Sequence, residues 1–269
     1  MRAGGFLYAL QGATPNPPGD NSQFWRYDPR TGVWTTLAEH PRRQSGGGAL
    51  AWAGGDIIYA LSGASGKFWG YHIAADSWSS LADTPAPVQN GGCLAWAGGD
   101  FLYGMRGSDT TTFWRYSISA NTWVGRAPVP EAPASGASLV WTGGDSLYAT
   151  RGNGTRTFWR YDVSLNSWEV LPNATLNFDA GGGLAWDGGN WLYGVRGNNS
   201  PWAASYDLMA GSWPYLPDAP WDVGSGGGVA WLSGGLYLLR GQSTTHFGVY
   251  RPGFLPGRVY LPMVAGASE

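Results

Sequence analysis

Phe158-Trp159-Arg160-Tyr161-Asp162, continued by Val163-Ser164-Leu165-Asn166-Ser167-Trp168, is the stretch whose recurrence decides the fold. Its Tyr returns at Tyr27, Tyr71, Tyr116, Tyr161, Tyr206 and Tyr250, at spacings of 44, 45, 45, 45 and 44. Seven residues beyond five of these stands a Trp: Trp34, Trp78, Trp123, Trp168 and Trp213. Upstream, a Gly-rich entry leads to Trp52, Trp96, Trp141, Trp186 and Trp231, and a Leu-Tyr or Ile-Tyr pair places Tyr8, Tyr59, Tyr103, Tyr148, Tyr193 and Tyr237. Four landmarks held in phase define six repeats, with approximate bounds 1–45, 46–90, 91–135, 136–180, 181–225 and 226–269. Together they make one domain over residues 1–269.

Each unit reads as four short strands. In the second copy these are residues 46–52, then 57–61 after the Gly54-Gly55 turn, then 68–71, and last a strand opening at Ser77-Trp78. Two adjacent glycines suit a tight hairpin because both accept positive φ without a Cβ clash. Apolar residues occupy both alternating sets of the second and third strands, so both faces of each sheet must be covered. Sheets packed face to face around an axis satisfy that demand. The runs Gly46 to Gly48, Gly91-Gly92, Gly181 to Gly183 and Gly226 to Gly228 then permit close approach of the inner strands.

Composition agrees. The 269 residues include 44 Gly and 17 Trp, and the aromatic share excludes a disordered chain. A net charge of −2, with Lys67 the only Lys, offers no electrostatic footprint for nucleic acid. No run of about 18 apolar residues exists, so membrane insertion is not expected. A single Cys, Cys93, excludes an intrachain disulfide and a Cys-based zinc site. Residues Met1 to Gly5 carry no secretory signal, although the low charge and scarce Lys lean toward an extracellular or cell-surface setting.

The frame Leu-Tyr-x-x-Arg-Gly, then Tyr-Asp, then Trp seven residues after that Tyr, resembles the Kelch repeat, the β-propeller superfamily that includes the galactose oxidase central domain. The turns Asp28 to Trp34 and Asp162 to Trp168 match it well. The Trp-Asp pairs Trp186-Asp187 and Trp221-Asp222 do not fall at the WD40 position. The resemblance implies an all-β, six-bladed propeller of four-stranded antiparallel blades. The first unit begins at its second strand, so either the ring lacks one inner strand or Met1 is an internal start. Residues Ala13 to Gln23 lengthen one connection, and Arg258 to Val264 supply the last strand of the sixth unit.

Propellers bind where strand connections converge, at one mouth of the axial channel. The loops before the inner strands diverge between copies: Arg42-Arg43-Gln44, Val88-Gln89-Asn90, Ala132-Pro133-Ala134, Asn177-Phe178-Asp179 and Asp222-Val223-Gly224. Variable loops on a repeated scaffold are where recognition sits. Toward the same mouth the second strand ends in Arg106, Arg151, Arg196 and Arg240. These guanidinium groups either hold an anion or pair with acids and strand-end carbonyls as part of the frame. The candidate ligand residues are therefore Arg106, Arg151, Arg196, Arg240, Gln44, Gln89 and Asp179, with Phe178 and Trp221 as exposed aromatics for a sugar ring or a protein loop.

No nucleophile elbow, phosphate loop or zinc-protease motif occurs. Asp56, Asp100, Asp145 and Asn190 would ring the opposite mouth, where calcium is conceivable but ordinary hairpin roles suffice. Arg26, Arg115 and Arg160 are expected to stack on aromatics or meet acids between blades. With His40, His72 and His246 as the only His, no motif supplies the two His, two Tyr and Tyr–Cys crosslink of a galactose-oxidase-type copper site. The expectation is a non-enzymatic module without cofactor or metal, binding a glycan or protein, and an anionic one if the arginines take part. The alternative is a small-sugar enzyme of sialic-acid-mutarotase type, for which Arg151, Arg196 and Asp179 would suit an acidic substrate.

Overall fold

The computed structural model describes residues 1–12, 22–108, 110–242 and 244–252. Strands β1 (Arg2–Ala3), β2 (Phe6–Leu10), β3 (Phe24–Asp28) and β4 (Val33–Leu37) form the first sheet. The second holds β5 (Ala49–Trp52), β6 (Ile57–Leu61), β7 (Phe68–His72) and β8 (Ser77–Ser80). The third holds β9 (Cys93–Trp96), β10 (Phe101–Met105), β11 (Phe113–Ser117) and β12 (Thr122–Gly125). The fourth holds β13 (Ser138–Trp141), β14 (Ser146–Thr150), β15 (Phe158–Asp162) and β16 (Ser167–Leu171). Three strands make the fifth, β17 (Gly181–Trp186), β18 (Trp191–Gly197) and β19 (Ala203–Asp207), and three the sixth, β20 (Gly228–Leu232), β21 (Gly235–Leu239) and β22 (Phe247–Tyr250). All pairings are antiparallel and follow chain order. The described residues contain no helix.

Six apolar clusters fill the six spaces between neighbouring sheets, and one of them, built on Leu7, Tyr27, Leu232 and Tyr237, joins the last sheet to the first. The sheets therefore stand as blades of a closed six-bladed β-propeller. The inner strand of the first blade is present rather than missing, as a two-residue strand pairing Arg2 with Leu7 and Ala3 with Phe6. The extended connection Ala13 to Asn21 and the expected last strand Arg258 to Val264 lie outside the described residues. Blade 5 departs from the four-strand expectation. Its ladder stops after the Asp207–Ser212 bridge, because Pro214 has no N–H to donate to β19.

The sequence landmarks are the parts that join blade to blade. The first Phe of each third strand enters a cradle made by the landmark Tyr and Trp of the next blade. Phe24, Phe68, Phe113, Phe158 and Phe247 lie 4.7–4.9 Å, centroid to centroid, from Tyr71, Tyr116, Tyr161, Tyr206 and Tyr27. The matching Trp rings, Trp78, Trp123, Trp168, Trp213 and Trp34, lie 4.9–5.1 Å away. Such aromatic pairs contribute roughly 0.5–1.5 kcal/mol each beyond area burial. The exception is blade 5, where Ala203 replaces the Phe.

A peptide lock accompanies the cradle. Trp78, Trp123 and Trp168 donate Nε1–H to the carbonyls of Ala38, Ala82 and Ala127 in the preceding blade, at 2.9, 2.9 and 3.0 Å. The N–H groups of those same alanines donate to Asp76, Asn121 and Asn166 Oδ1. Each Oδ1 also accepts from the cradle Tyr hydroxyl, at 2.6–2.7 Å. Asp76, Asn121 and Asn166 are held left-handed, at φ 45, 51 and 52°, a conformation short polar side chains tolerate. Between inner strands a left-handed Gly does the joining. Gly91, Gly136 and Gly181 sit at φ near 84–85°, where a Cβ would overlap backbone atoms of Ala134, Asp179 and Gly224 in the next blade.

Replacing Asn166 separates conformation from bonding. Asn166→Gly keeps the left-handed turn but loses both hydrogen bonds, and is expected to lower unfolding free energy by about 1–2 kcal/mol. Asn166→Ala adds left-handed strain and should lose roughly 1 kcal/mol more. Urea midpoints of the two variants check this; equal midpoints would mean that the backbone conformation carries no cost.

Candidate functional site

The connections that feed the inner strands, and the turns after the second strands, meet at one mouth of the channel. Each Arg-Gly corner is followed by a residue in left-handed conformation: Ser108, Asn153, Asn198 and Gln242, at φ 25, 56, 52 and 55°. Their N–H groups donate to the carbonyls of Asn90, Ser135, Ala180 and Ser225 in the neighbouring connection, at 2.8–2.9 Å. Ala64 has the same conformation in blade 2, at φ 54°. The corner glycines Gly107, Gly152, Gly197 and Gly241 lie flat on that connection, since a Cβ would overlap its backbone. In blades 3 to 6 one turn is thus fixed beside the channel with its side chain variable.

What these turns present is neutral and polar. Gln89, Asn90, Asn153, Asn198 and Gln242 are exposed, as are Ser45 and Ser225. Among the described residues, none of those five amide side chains has a partner. Ser45, Gly46, Ala64, Gln89, Asn90 and Ser108 enclose a recess of ≈ 190 Å³ between blades 2 and 3. Asn90, Ser108, Asn153, Asn198 and Gln242 were not among the candidate ligand residues named from the sequence. The signal was available: each of the last four sits two residues after an Arg that recurs every 44 or 45 positions.

The arginines take up frame positions next to this rim. Arg106 Nε–H donates to Pro87 O at 3.0 Å, and Arg151 Nε–H to Ala132 O at 3.3 Å. Arg151 Nη1 also lies 3.2 Å from Glu131 Oε2. Arg196 places its guanidinium 4.5 Å from the centroid of the Trp202 ring. Arg240 has no side-chain partner among the described residues. Their backbone carbonyls accept from the N–H groups of Gln89, Ala134, Asp179 and Gly224, so the main chain at each Arg straps the connection down.

Three expected site residues do not face solvent as anticipated. Phe178 is 0% exposed, because its ring points into the blade 4–5 core beside Trp213. Trp221 is half-buried, packing on the blade 5–6 cluster and over Gly248. Gln44 is 4% exposed, its Nε2 donating to Arg42 O at 3.1 Å and meeting His40 Nδ1 at 2.8 Å. Gln89 is exposed at the rim, and Asp179 is half-buried with Oδ1 accepting from the N–H of Ala180 at 2.7 Å.

The opposite mouth is occupied by structural contacts. Trp52, Trp96, Trp141 and Trp186 donate Nε1–H to Gly55, Gly99, Gly144 and Gly189 carbonyls, capping their own hairpins at 2.8–3.1 Å. Asp56 and Asp100 accept from the N–H groups of Ala74 and Ser119 at 2.8 Å, and Asn190 from Met209 at 3.0 Å. Among the described residues no group of His, Cys, Asp or Glu is arranged to hold a metal ion. Burial pushes the Cys93 thiol up to about 12. Arg26 and Arg115 stack on Phe6 and Phe101, and Arg160 meets Glu169 at 2.6 Å; each contact lies within a blade rather than between blades.

Fold and mouth together define a six-bladed β-propeller with a polar, variable rim. No family model matches the chain, and no curated protein matches it. Among solved structures, one titled "Structure of YjhT" is similar with a TM-score of 0.62 and 17% identity, over 75% of this chain and 74% of that one. At that identity the likeness bears on the propeller fold alone.

His40 gives the rim a measurable pH dependence. Burial against Trp69 and Trp78 lowers its imidazole from 6.5 to about 4, and Nε2 is buried without a partner among the described residues. The unfolded chain takes up a proton near pH 6.5 that the folded chain refuses until about pH 4. Stability therefore falls as pH drops through that window, by roughly 3 kcal/mol. The depressed carboxylates Asp28, Asp100, Asp162 and Asp207 act only at lower pH. Unfolding free energies of wild type and His40→Gln between pH 7 and 4.5 should diverge at the neutral end and converge on acidification.

Proposed function

We propose that this chain is a non-enzymatic recognition module built on Kelch-type repeats, and that its channel mouth binds the hydroxyl groups of a glycan. The observation that carries this reading is the set of exposed amides, Gln89, Asn90, Asn153, Asn198 and Gln242, none of them engaged by the protein. An amide both donates and accepts, so it matches a sugar hydroxyl, which does the same. Backbone bonds fix the turns that carry Asn153, Asn198 and Gln242 before any ligand arrives, which limits the ordering cost of binding.

What weighs against turnover of an acidic sugar is the state of the arginines. Arg106 and Arg151 are committed through Nε to connection carbonyls, and Arg151 is neutralised by Glu131. The protein is expected to retain oligosaccharides on a glycan array without altering them. Asn153→Gly and Asn198→Gly remove the amides while keeping the left-handed turns. Each is expected to weaken binding about tenfold, or about 1.4 kcal/mol. Retention unchanged in both variants would overturn the mouth as the site. Accelerated anomerisation of sialic acid by NMR, abolished in Arg196→Ala, would replace the module with the mutarotase-type enzyme.

A further inference from the structure

Blade 5 differs from its sister blades at four positions along one stretch of its outer edge. Ala203 stands where the other third strands begin with Phe, and Pro214 where blade 2 has Ser79. Trp202 stands where blade 2 has Lys67, and Tyr215 where it has Ser80. In blade 2 the Lys67 ammonium pairs with Asp83 at 2.6 Å. The counterpart of Asp83 is Asp218, and the exchange of Lys for Trp leaves that carboxylate without a partner among the described residues.

Because Pro214 ends the ladder, residues 213–218 run beside β19 without a fourth strand, and a groove of ≈ 460 Å³ opens there. That volume falls within the roughly 300–1,000 Å³ typical of small-ligand sites. Trp202, Trp213, Tyr215 and Leu216 line it together with Thr175 and Asp218. Tyr215 is 87% exposed and Trp202 is 50% exposed. Among the described residues none of the three rings is stacked on another. Arg196 backs the Trp202 ring at 4.5 Å and holds it as a platform. Trp213 keeps its place in the aromatic cradle, yet its Nε1 is buried without the partner that Trp78, Trp123 and Trp168 have.

We propose that this groove is a second ligand site, separate from the channel mouth, that takes a pyranose ring of a neutral glycan. Trp202 and Tyr215 offer flat apolar faces to the C–H face of the sugar, and Asp218 and Thr175 accept its hydroxyls. The combination discriminates among occupants. An apolar protein anchor would cover the Asp218 carboxylate with no donor to meet it, which carries a desolvation cost. A quaternary ammonium would meet a ring whose electron density the Arg196 guanidinium already draws on. A sugar supplies both an apolar face and hydroxyl donors.

The test titrates the intact protein with cellotetraose, xylotetraose, mannotetraose and maltotetraose, read by saturation-transfer NMR and calorimetry. At least one is expected to bind. Trp202→Lys restores the pairing that blade 2 uses and should close the groove with no loss of fold, weakening that binding at least tenfold. Tyr215→Ser, at a position exposed to solvent, should do the same. Asn153→Gly and Asn198→Gly, which alter the channel mouth, should leave this binding unchanged, so failure of either site is read separately. Binding of none of the four, binding that survives Trp202→Lys in protein that also carries Asn153→Gly and Asn198→Gly, or displacement of the sugar by tetramethylammonium or a proline-rich peptide would overturn the proposal.

Discussion

The structure depends on one repeated contact, the insertion of a phenylalanine from one blade into the Tyr–Trp cradle of the next. A single four-stranded sheet in this chain has two apolar faces and cannot satisfy either alone. The cradle covers one, and the reciprocal peptide lock at Ala38, Ala82 and Ala127 fixes the angle at which the faces meet. Van der Waals contact and directional bonds thus act on the same residues. The ring closes because Phe247 reaches Tyr27 and Trp34 with the same geometry that Phe113 uses toward Tyr161 and Trp168.

Most of that architecture was legible in the sequence because its causes are local and repeated. Tyr and Trp spacing, Gly-Gly turns and two-faced apolar strands each follow from short-range chemistry. The peptide lock was not legible. Asp76, Asn121 and Asn166 look like ordinary turn residues, and only the coordinates show their Oδ1 atoms reaching a neighbouring blade. Blade 5 carried its warning in Pro214, which cannot donate to a ladder and which the strict recurrence of Trp213 concealed. The inner strand of blade 1 was missed because two residues, Arg2 and Ala3, are too few to show alternation.

The rim was harder to read for a different reason. Phe178 and Trp221 sit in connections, where an aromatic suggests exposure, yet connections in a propeller cross the tops of apolar blades. Their side chains turn inward for the same hydrophobic reason as strand residues. Of the arginines expected at the mouth, Arg106 and Arg151 serve the frame through their Nε–H groups. The amides at Asn153, Asn198 and Gln242 were not read as ligand groups because a left-handed Asn or Gln is first of all a turn former. Here one conformation does both jobs, turning the chain and aiming a variable group at the channel.

The cradle has a direction: every blade but the fifth gives a ring to its successor, and every blade but the sixth receives one from its predecessor. A partial arc broken anywhere but between blades 5 and 6 therefore has two unlike and mutually fitting ends, one a protruding Phe and the other a vacant Tyr–Trp socket. Chains interrupted during synthesis, or opened by a cut between blades, carry sticky termini that match those of other copies. Such ends open a route to head-to-tail pairing that ring closure denies the intact chain.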